Sequence, residues 1–301
     1  MFDIVDRVLK KRIAMEMKPF LKMACPIDLS PLQKNQNSYN CLQLHNFDVA
    51  KNGYINLLPV HLKNSKHPGD NAPMIKARTD FLETGLYDLI LHRVYEKLML
   101  FILNNEAMHF NIIDAGCGNG YYTVGIKNLI ANFPNKKTVA LLGYDISKEA
   151  ILSASKRSRD ITWAVATNKR VPICNQSSNI VVSIFGFPVF EEFRRILEVG
   201  GMLLLVEPGP QHLLELRQAL YPMIKDNKKG KDEQAIKKYF FLNEKKEYKE
   251  TYGEFSSQNV SDLIYVTPHG FRASREKIKL ITDNPSFRIM IDVLMSSYLA
   301  I

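Results

Sequence analysis

Apolar residues recur along the chain with two different periods, and the changes between them mark out elements. Over 2–22, Phe2, Val5, Val8, Leu9 and Ile13 fall on one helical face, which predicts an amphipathic helix. Residues 24–60 lose that period. Short polar stretches alternate there with Pro26, Pro31 and two cysteines, so a small loop-rich module is expected. Turn-forming residues from Lys63 to Pro73 follow, and over 74–103 Tyr87, Ile90, Leu91, Val94, Leu98 and Phe101 return at helical spacing. From residue 111 the pattern alternates. Strands are predicted at Asn111–Ala115, Val139–Asp145, Ile161–Ala166, Asn179–Phe185 and Met202–Glu207. Helices are predicted at Tyr121–Ala131, Ser147–Arg157 and Phe190–Leu197, the last stopped by Gly200 and Gly201. Apolar strands separated by helices predict a mostly parallel sheet covered on both faces, an α/β doubly wound fold. Residues 211–250 break the rhythm with a helix-like stretch and a charged segment, Lys225–Glu250, expected to be a mobile solvated surface. Phe287–Leu299 is expected to close the sheet. The division that results is an extension at 1–22, a small module at 23–60, a linker at 61–85 and an α/β domain at 86–301.

Composition narrows the class. A chain of 301 residues suits two domains more naturally than one. With 46% hydrophobic and 24% charged residues it excludes disordered, collagen-like and disulfide-scaffold proteins. Its longest apolar runs are strand-sized, well short of the ~20 residues a spanning helix needs. The first 23 residues carry six basic and three acidic side chains and no apolar stretch, so no secretory signal is read there. Four cysteines (Cys25, Cys41, Cys117, Cys174) are too few for a disulfide framework, and a reducing, cytoplasmic location is expected. The net charge of +9 leans towards a polyanionic partner, although segment 1–24 alone carries +3 of it.

The strongest local signal is Asp114-x-Gly116-x-Gly118-x-Gly120, set between a predicted strand and helix where an open α/β sheet binds its ligand. Glycines permit a tight turn and a close backbone approach to that ligand. A dinucleotide loop places its third glycine three residues after the second; here the step is two, and an acid opens the loop. The pattern resembles the first motif of class I methyltransferases that use S-adenosylmethionine, whose fold is Rossmann-like. In that resemblance Asp114, Gly116, Gly118, Asn119 and Gly120 form the loop around the methionine and ribose portions. Asp145, ending the next strand, matches the acid that accepts the ribose hydroxyls. The competing reading is a structural strand–helix turn with an incidental acid. Two motifs at matching strand ends count against it. No phosphate-loop, α/β-hydrolase or zincin signature occurs.

Cys25-x-x-Asp28 is followed, after twelve residues, by Cys41-x-x-x-His45. Two such pairs close small knuckles around a tetrahedral zinc, although structural zinc sites favour sulfur and nitrogen over the oxygen that Asp28 offers. Two readings stand: a zinc site weakened by its carboxylate, or a metal-free remnant held by apolar residues. Cys117 and Cys174 read as small buried side chains.

Further words accompany these motifs: Ser38–Cys41, His45–Asp48, Lys51–Pro59, Pro68–Asp70, Ala77-Arg78, Phe81–Gly85 with Tyr87, Pro208–Pro210 with His212, and Thr267-Pro268 with Arg272. In this order, from about Met23 to the C-terminus, the chain resembles the bacterial large-subunit ribosomal RNA guanine-N1 methyltransferases. The resemblance implies a zinc-ribbon-like RNA-recognition module ahead of an S-adenosylmethionine-dependent domain that acts on a ribosomal RNA hairpin. It also implies cofactor contacts at Tyr87, Gly118, Asn119 and His212. Spacing alone would make Tyr87 a core aromatic and His212 a surface side chain. Relatives begin just before the first cysteine, so residues 1–22 are expected to be dispensable. Two departures stand out. Asp28 replaces a zinc ligand, and Ile184–Pro188 replaces a tyrosine and an alanine-proline pair beside the transferred methyl.

The implied chemistry needs an exposed base and removal of the N1 proton. Phe185, Phe187 and Tyr121 are candidate stacking residues. Glu207, ending the fifth strand, is the candidate base; its alternative is a strand-end acid facing water. Two functions of other classes remain: a small-molecule methyltransferase, which leaves the cysteine module unexplained, and a non-catalytic RNA- or adenosylmethionine-binding relative. The oligomeric state is open, a homodimer being one option.

Overall fold

The computed structural model describes residues 14–63, 65, 68–221, 233–253, 256–267, 275–282 and 288–301. It opens with β1 (Glu16–Lys18), an antiparallel ribbon of β2 (Gln33–Asn35), β3 (Ser38–Asn40) and β4 (Asn46–Asp48), and β5 (Tyr54–Asn56). Helices α1 (Ala72–Leu82) and α2 (Asp88–Asn104) lead into the alternating region. That region runs β6 (His109–Ala115), α3 (Tyr121–Ala131), β7 (Thr138–Asp145), α4 (Lys148–Arg157), β8 (Thr162–Val165), β9 (Ser178–Ile184), α5 (Phe190–Ile196) and β10 (Leu197–Pro208). Then come α6 (Leu214–Leu220), α7 (Glu233–Lys237), β11 (Phe240–Tyr252), α8 (Ser257–Val266), α9 (Arg275–Thr282) and β12 (Ile289–Ala300). The strand order is β11-β12-β10-β9-β6-β7-β8-β5, with β12 antiparallel to both neighbours and β1 paired in parallel with the first residues of β7. The mostly parallel, doubly wound sheet expected from the alternation is present. No helix among the described residues is long and apolar enough to cross a membrane.

Alternate residues of the central strands feed two cores, as a period of two requires. Ile112, Leu141, Val182 and Leu204 share one with Val94 of α2, Ile126 of α3 and Ile151 of α4. Ile113, Leu142, Val181 and Leu203 share the other with Phe193 of α5. On that second face the crossover from β8 to β9 carries no helix. The N-terminal segment takes its place: Ala24 N–H donates to Pro172 O and Cys174 N–H to Lys22 O, each at 2.9 Å. Phe20, Met23, Cys25, Leu32, Tyr39 and Cys41 then fill the same core as the strands. The ribbon is part of the sheet's cover.

Several expectations are corrected. Residues 14–18 are extended, not helical, because Met15 and Phe20 are buried against the sheet and β1 pairs with an edge of β7 that β8 leaves uncovered. The rest of that expected helix, 2–13, lies outside the described residues, as do Pro268, Arg272 and Phe287. The helix read over 74–103 is two helices, broken at a turn where Gly85 takes φ +78°. The stretch read as a linker therefore contains α1, and β5 of the small module pairs with β8 in the main sheet. α5 stops at Ile196, since Leu197 already pairs with Ser178, and β10 bulges before Met202. Lys225–Glu250 is not solvated loop throughout. β11 pairs along its length with β12, and its Tyr248 meets Arg93 of α2, whose guanidinium lies 5.2 Å from the ring centroid. An edge strand can stay highly charged, which hid it from a hydrophobic pattern. Residues 225–232 of that segment lie outside the described residues.

Candidate active site and metal centre

At the carboxyl end of β6 the chain turns through Gly116 (φ +81°), Gly118 (φ +55°) and Gly120 (φ +77°) before α3 begins. A Cβ on Gly120 would stand 2.8 Å from Ala154 Cβ and from the Trp163 ring, whereas one on Gly116 would meet nothing within 4 Å. Gly120 is a packing requirement; Gly116 opens onto space. Asp145 ties this loop to β7: its Oδ2 accepts Gly118 N–H at 3.0 Å and its Oδ1 accepts Ser147 N–H at 2.8 Å. A carboxylate offers about four acceptor positions, so two remain for hydroxyl donors. Burial holds its pKa above the usual value, with the two N–H donors opposing. Asp114 lies beneath the loop, 3% exposed, and accepts the Thr123 hydroxyl at 2.6 Å. Burial pushes its pKa up to about 7. It anchors the first turn of α3.

Asn119, 1% exposed, turns towards α1, where its Nδ2 donates to Thr79 Oγ1 at 2.9 Å. The neighbouring Arg78 lies over Gly118 and pairs with Asp70, whose carbonyl accepts the Ser147 hydroxyl at 2.6 Å. Spacing does not find Asp70, Arg78 or Thr79. Only the words shared with the methyltransferases contain the first two.

Tyr87 and His212, far apart in sequence, are brought together: Tyr87 Oη lies 3.2 Å from His212 Nε2. On β12, Asp292 N–H donates to His212 Nδ1 at 3.3 Å, so a neutral imidazole carries its proton on Nε2 and donates it to Tyr87. Tyr87 is buried, which raises its pKa and keeps its hydroxyl protonated. The rings of Phe81 and Phe185 flank it, with centroids at 5.1 and 6.0 Å. Phe185, at φ +54°, follows β9 and also faces His212. Phe187 is 89% exposed, its carbonyl held by Asn168 Nδ2 at 2.7 Å. Tyr121 is fixed differently from a stacking platform, since its hydroxyl donates to Asp88. Glu207 is half-buried near the end of β10, opposite Leu294, at the same sheet end as Asp145 and Phe185.

The four ligand-type side chains of the ribbon converge. The ligating atoms of Cys25, Asp28, Cys41 and His45 all lie within 4.8 Å of one another. His45 Nδ1 is 3.4 Å from Cys25 Sγ, 3.3 Å from Cys41 Sγ and 3.2 Å from Asp28 Oδ2, which is 3.6 Å from Cys41 Sγ. The other oxygen of Asp28 accepts Ser30 N–H at 2.9 Å and Ser30 Oγ–H at 2.6 Å, which holds its pKa below the carboxylate range. Ser30 thus aims Asp28 Oδ2 into the cluster.

Comparison with known proteins agrees with this arrangement. A zinc-ribbon family model described as RlmA, N-terminal, matches residues 23–66. YxjB of Bacillus subtilis, assigned as a 23S rRNA (guanine-N(1)-)-methyltransferase, is 30% identical over 284 residues, covering 91% of this chain and 95% of that protein. The chain belongs to the 23S rRNA (guanine-N(1)-)-methyltransferase family. Another relative, the 23S rRNA (guanine(748)-N(1))-methyltransferase of Streptomyces fradiae, is 28% identical over 72% of this chain and 75% of its own. Among solved structures, YcgJ of Bacillus subtilis covers 69% of this chain and 98% of its own, at 13% identity and a TM-score of 0.45.

As a member of this family the protein is an S-adenosylmethionine-dependent methyltransferase with an N-terminal zinc ribbon, and its residues fit both groups. The open side of Gly116 and the remaining acceptor positions of Asp145 suit an adenosyl ligand. Ligand atoms about 2.0–2.3 Å from a tetrahedral zinc stand roughly 3.3–3.8 Å apart, close to the spacings found in the ribbon.

Proposed function

We propose that this methyltransferase moves a methyl group from S-adenosylmethionine to N1 of a guanine in a large-subunit ribosomal RNA hairpin. One observation carries the reading: the ribbon shares a hydrophobic core with the very sheet whose carboxyl end holds the glycine loop. An RNA-recognition module and a cofactor cleft are fixed in one body, which a small-molecule enzyme does not need.

Bound S-adenosylmethionine supplies an electrophilic methyl on its sulfonium. Asp145 would accept the ribose hydroxyls, and Tyr87, the backbone at Gly118 and Asn119, and His212 would hold the rest of the ligand. Zinc would be held by Cys25, Asp28, Cys41 and His45, and would serve the ribbon's shape. Neutral guanine keeps a proton on N1, so its lone pair attacks only as that proton leaves, and Glu207 takes it. Phe185 and Phe187 offer faces to an extruded base, a contact worth roughly 1–3 kcal/mol per base.

The test is methyl-labelled cofactor offered with large-subunit RNA and, separately, with a small-metabolite extract. Label should enter RNA as N1-methylguanosine, and Glu207→Gln should slow transfer roughly 10²–10⁴-fold without weakening cofactor binding. Label confined to metabolites, or cofactor binding with no transfer to RNA, would overturn the reading.

A further inference from the structure

Strand β12 carries a single charged side chain. Asp292 stands between the core residues Ile291 and Val293 and is itself fully buried. Its Oδ1 is shut off from solvent and has no hydrogen-bond partner among the described residues. Burying a carboxylate is costly, so its place in an apolar strand calls for a reason. What Asp292 holds is the turn after β10. Its carbonyl accepts Gly209 N–H at 2.8 Å, its Oδ2 accepts Gln211 N–H at 2.7 Å, and its own N–H donates to His212 Nδ1 at 3.3 Å. A Cβ on Gly209 would stand 2.2 Å from Asp292 Oδ1, so the carboxylate fills the space that a side chain there would take. One residue of β12 grips Gly209, Gln211 and His212 together.

This grip sets the direction of a hydrogen-bond chain. With Nδ1 engaged as an acceptor, neutral His212 carries its proton on Nε2, 3.2 Å from Tyr87 Oη. Tyr87 then accepts from His212 and keeps its own hydroxyl proton to donate. The opposite tautomer would reverse the chain: Tyr87 would donate to Nε2 and have no proton left to give. We propose that Asp292 is a positioning residue for cofactor binding, which clamps the Gly209–His212 turn, keeps His212 in the Nε2–H form and so leaves the Tyr87 hydroxyl proton for the ligand. This rests on the methyltransferase reading, in which Tyr87 and His212 hold the cofactor, and adds the residue that sets their polarity. A plain structural plug under the turn would need Asp292 for stability but would fix no tautomer.

Nitrogen NMR of the full chain with isotope-labelled histidine, at a pH where imidazole is neutral, reads the tautomer directly. The His212 signal is assigned by its loss in His212→Gln. The parent should show His212 in the Nε2–H form, and so should Asp292→Asn, which keeps an acceptor for Gln211 N–H. In Asp292→Ala the Nδ1–H form should appear at temperatures well below Tm; Asp292→Ser, a milder change, is read in its place if the alanine variant does not fold. Affinity for S-adenosylhomocysteine, measured by titration calorimetry, should fall with it by roughly three- to tenfold. An Nδ1–H form in the parent, or variants that lose stability yet keep the parent's tautomer and affinity, would overturn the clamp while leaving the methyltransferase reading intact. A parent protein that bound no S-adenosylhomocysteine would overturn both.

Discussion

At Asp28 a single oxygen decides whether the ribbon holds a metal. A carboxylate in place of a thiolate predicts weaker zinc, yet Ser30 fixes one oxygen and leaves Oδ2 facing His45 Nδ1 at 3.2 Å. Protein purified without chelator should carry about one zinc, since four converged ligands suffice for a structural site. Asp28→Ala should lose it, and Asp28→Cys should keep it against higher chelator concentrations. Metal analysis of the three proteins checks this; zinc absent from the parent and not restored by Asp28→Cys would favour the metal-free remnant. Asp114 makes a second residue-scale prediction. Its pKa is about 7 when folded against 3.8 for the free group. The folded state therefore binds the extra proton, and the stability from this group is full below the lower value and lost as pH rises through the higher. Asp114→Asn, neutral throughout, should flatten the dependence of Tm on pH across that window. A variant with the parent's slope would show that Asp114 does not titrate as its burial demands.

At the scale of elements, β1 is where the sequence was most misleading. A chain beginning at Met23 loses Met15 and Phe20, 2% and 1% exposed, together with the pairing to β7. Burying such side chains is worth roughly 1.5–3 kcal/mol each, so Tm should fall by several degrees and activity with it. Full stability in the shortened chain would restore the reading of 1–22 as dispensable. The central strands were legible because continuous apolar runs leave no alternative partner, and Asp145 was legible because it ends one. Charged β11 and three-residue β1 were not, since edge pairing needs backbone rather than an apolar stripe. In the site, glycine spacing found the loop and its acid. Asp70, Arg78 and Thr79 escaped because α1 reaches the loop through tertiary packing, which no local period records.

Across the whole molecule, the N-terminal segment and ribbon cover the face that the crossover from β8 to β9 leaves without a helix. Metal binding and folding of the sheet are therefore coupled. Chelation should lower one cooperative calorimetric transition, rather than release a small early one that leaves the main transition in place. Two separated transitions would mean that ribbon and sheet unfold independently. The central claim is methylation of ribosomal RNA at guanine N1, and the most direct measurement is a map of that modification. Large-subunit RNA from cells with and without the protein should differ in N1-methylguanosine at one hairpin guanine, a mark that blocks base pairing and stops primer extension. The account predicts a stop that disappears with the protein and returns when purified protein and S-adenosylmethionine are added to the unmodified RNA. Identical maps from the two cells, with no stop created by the purified protein, would contradict it.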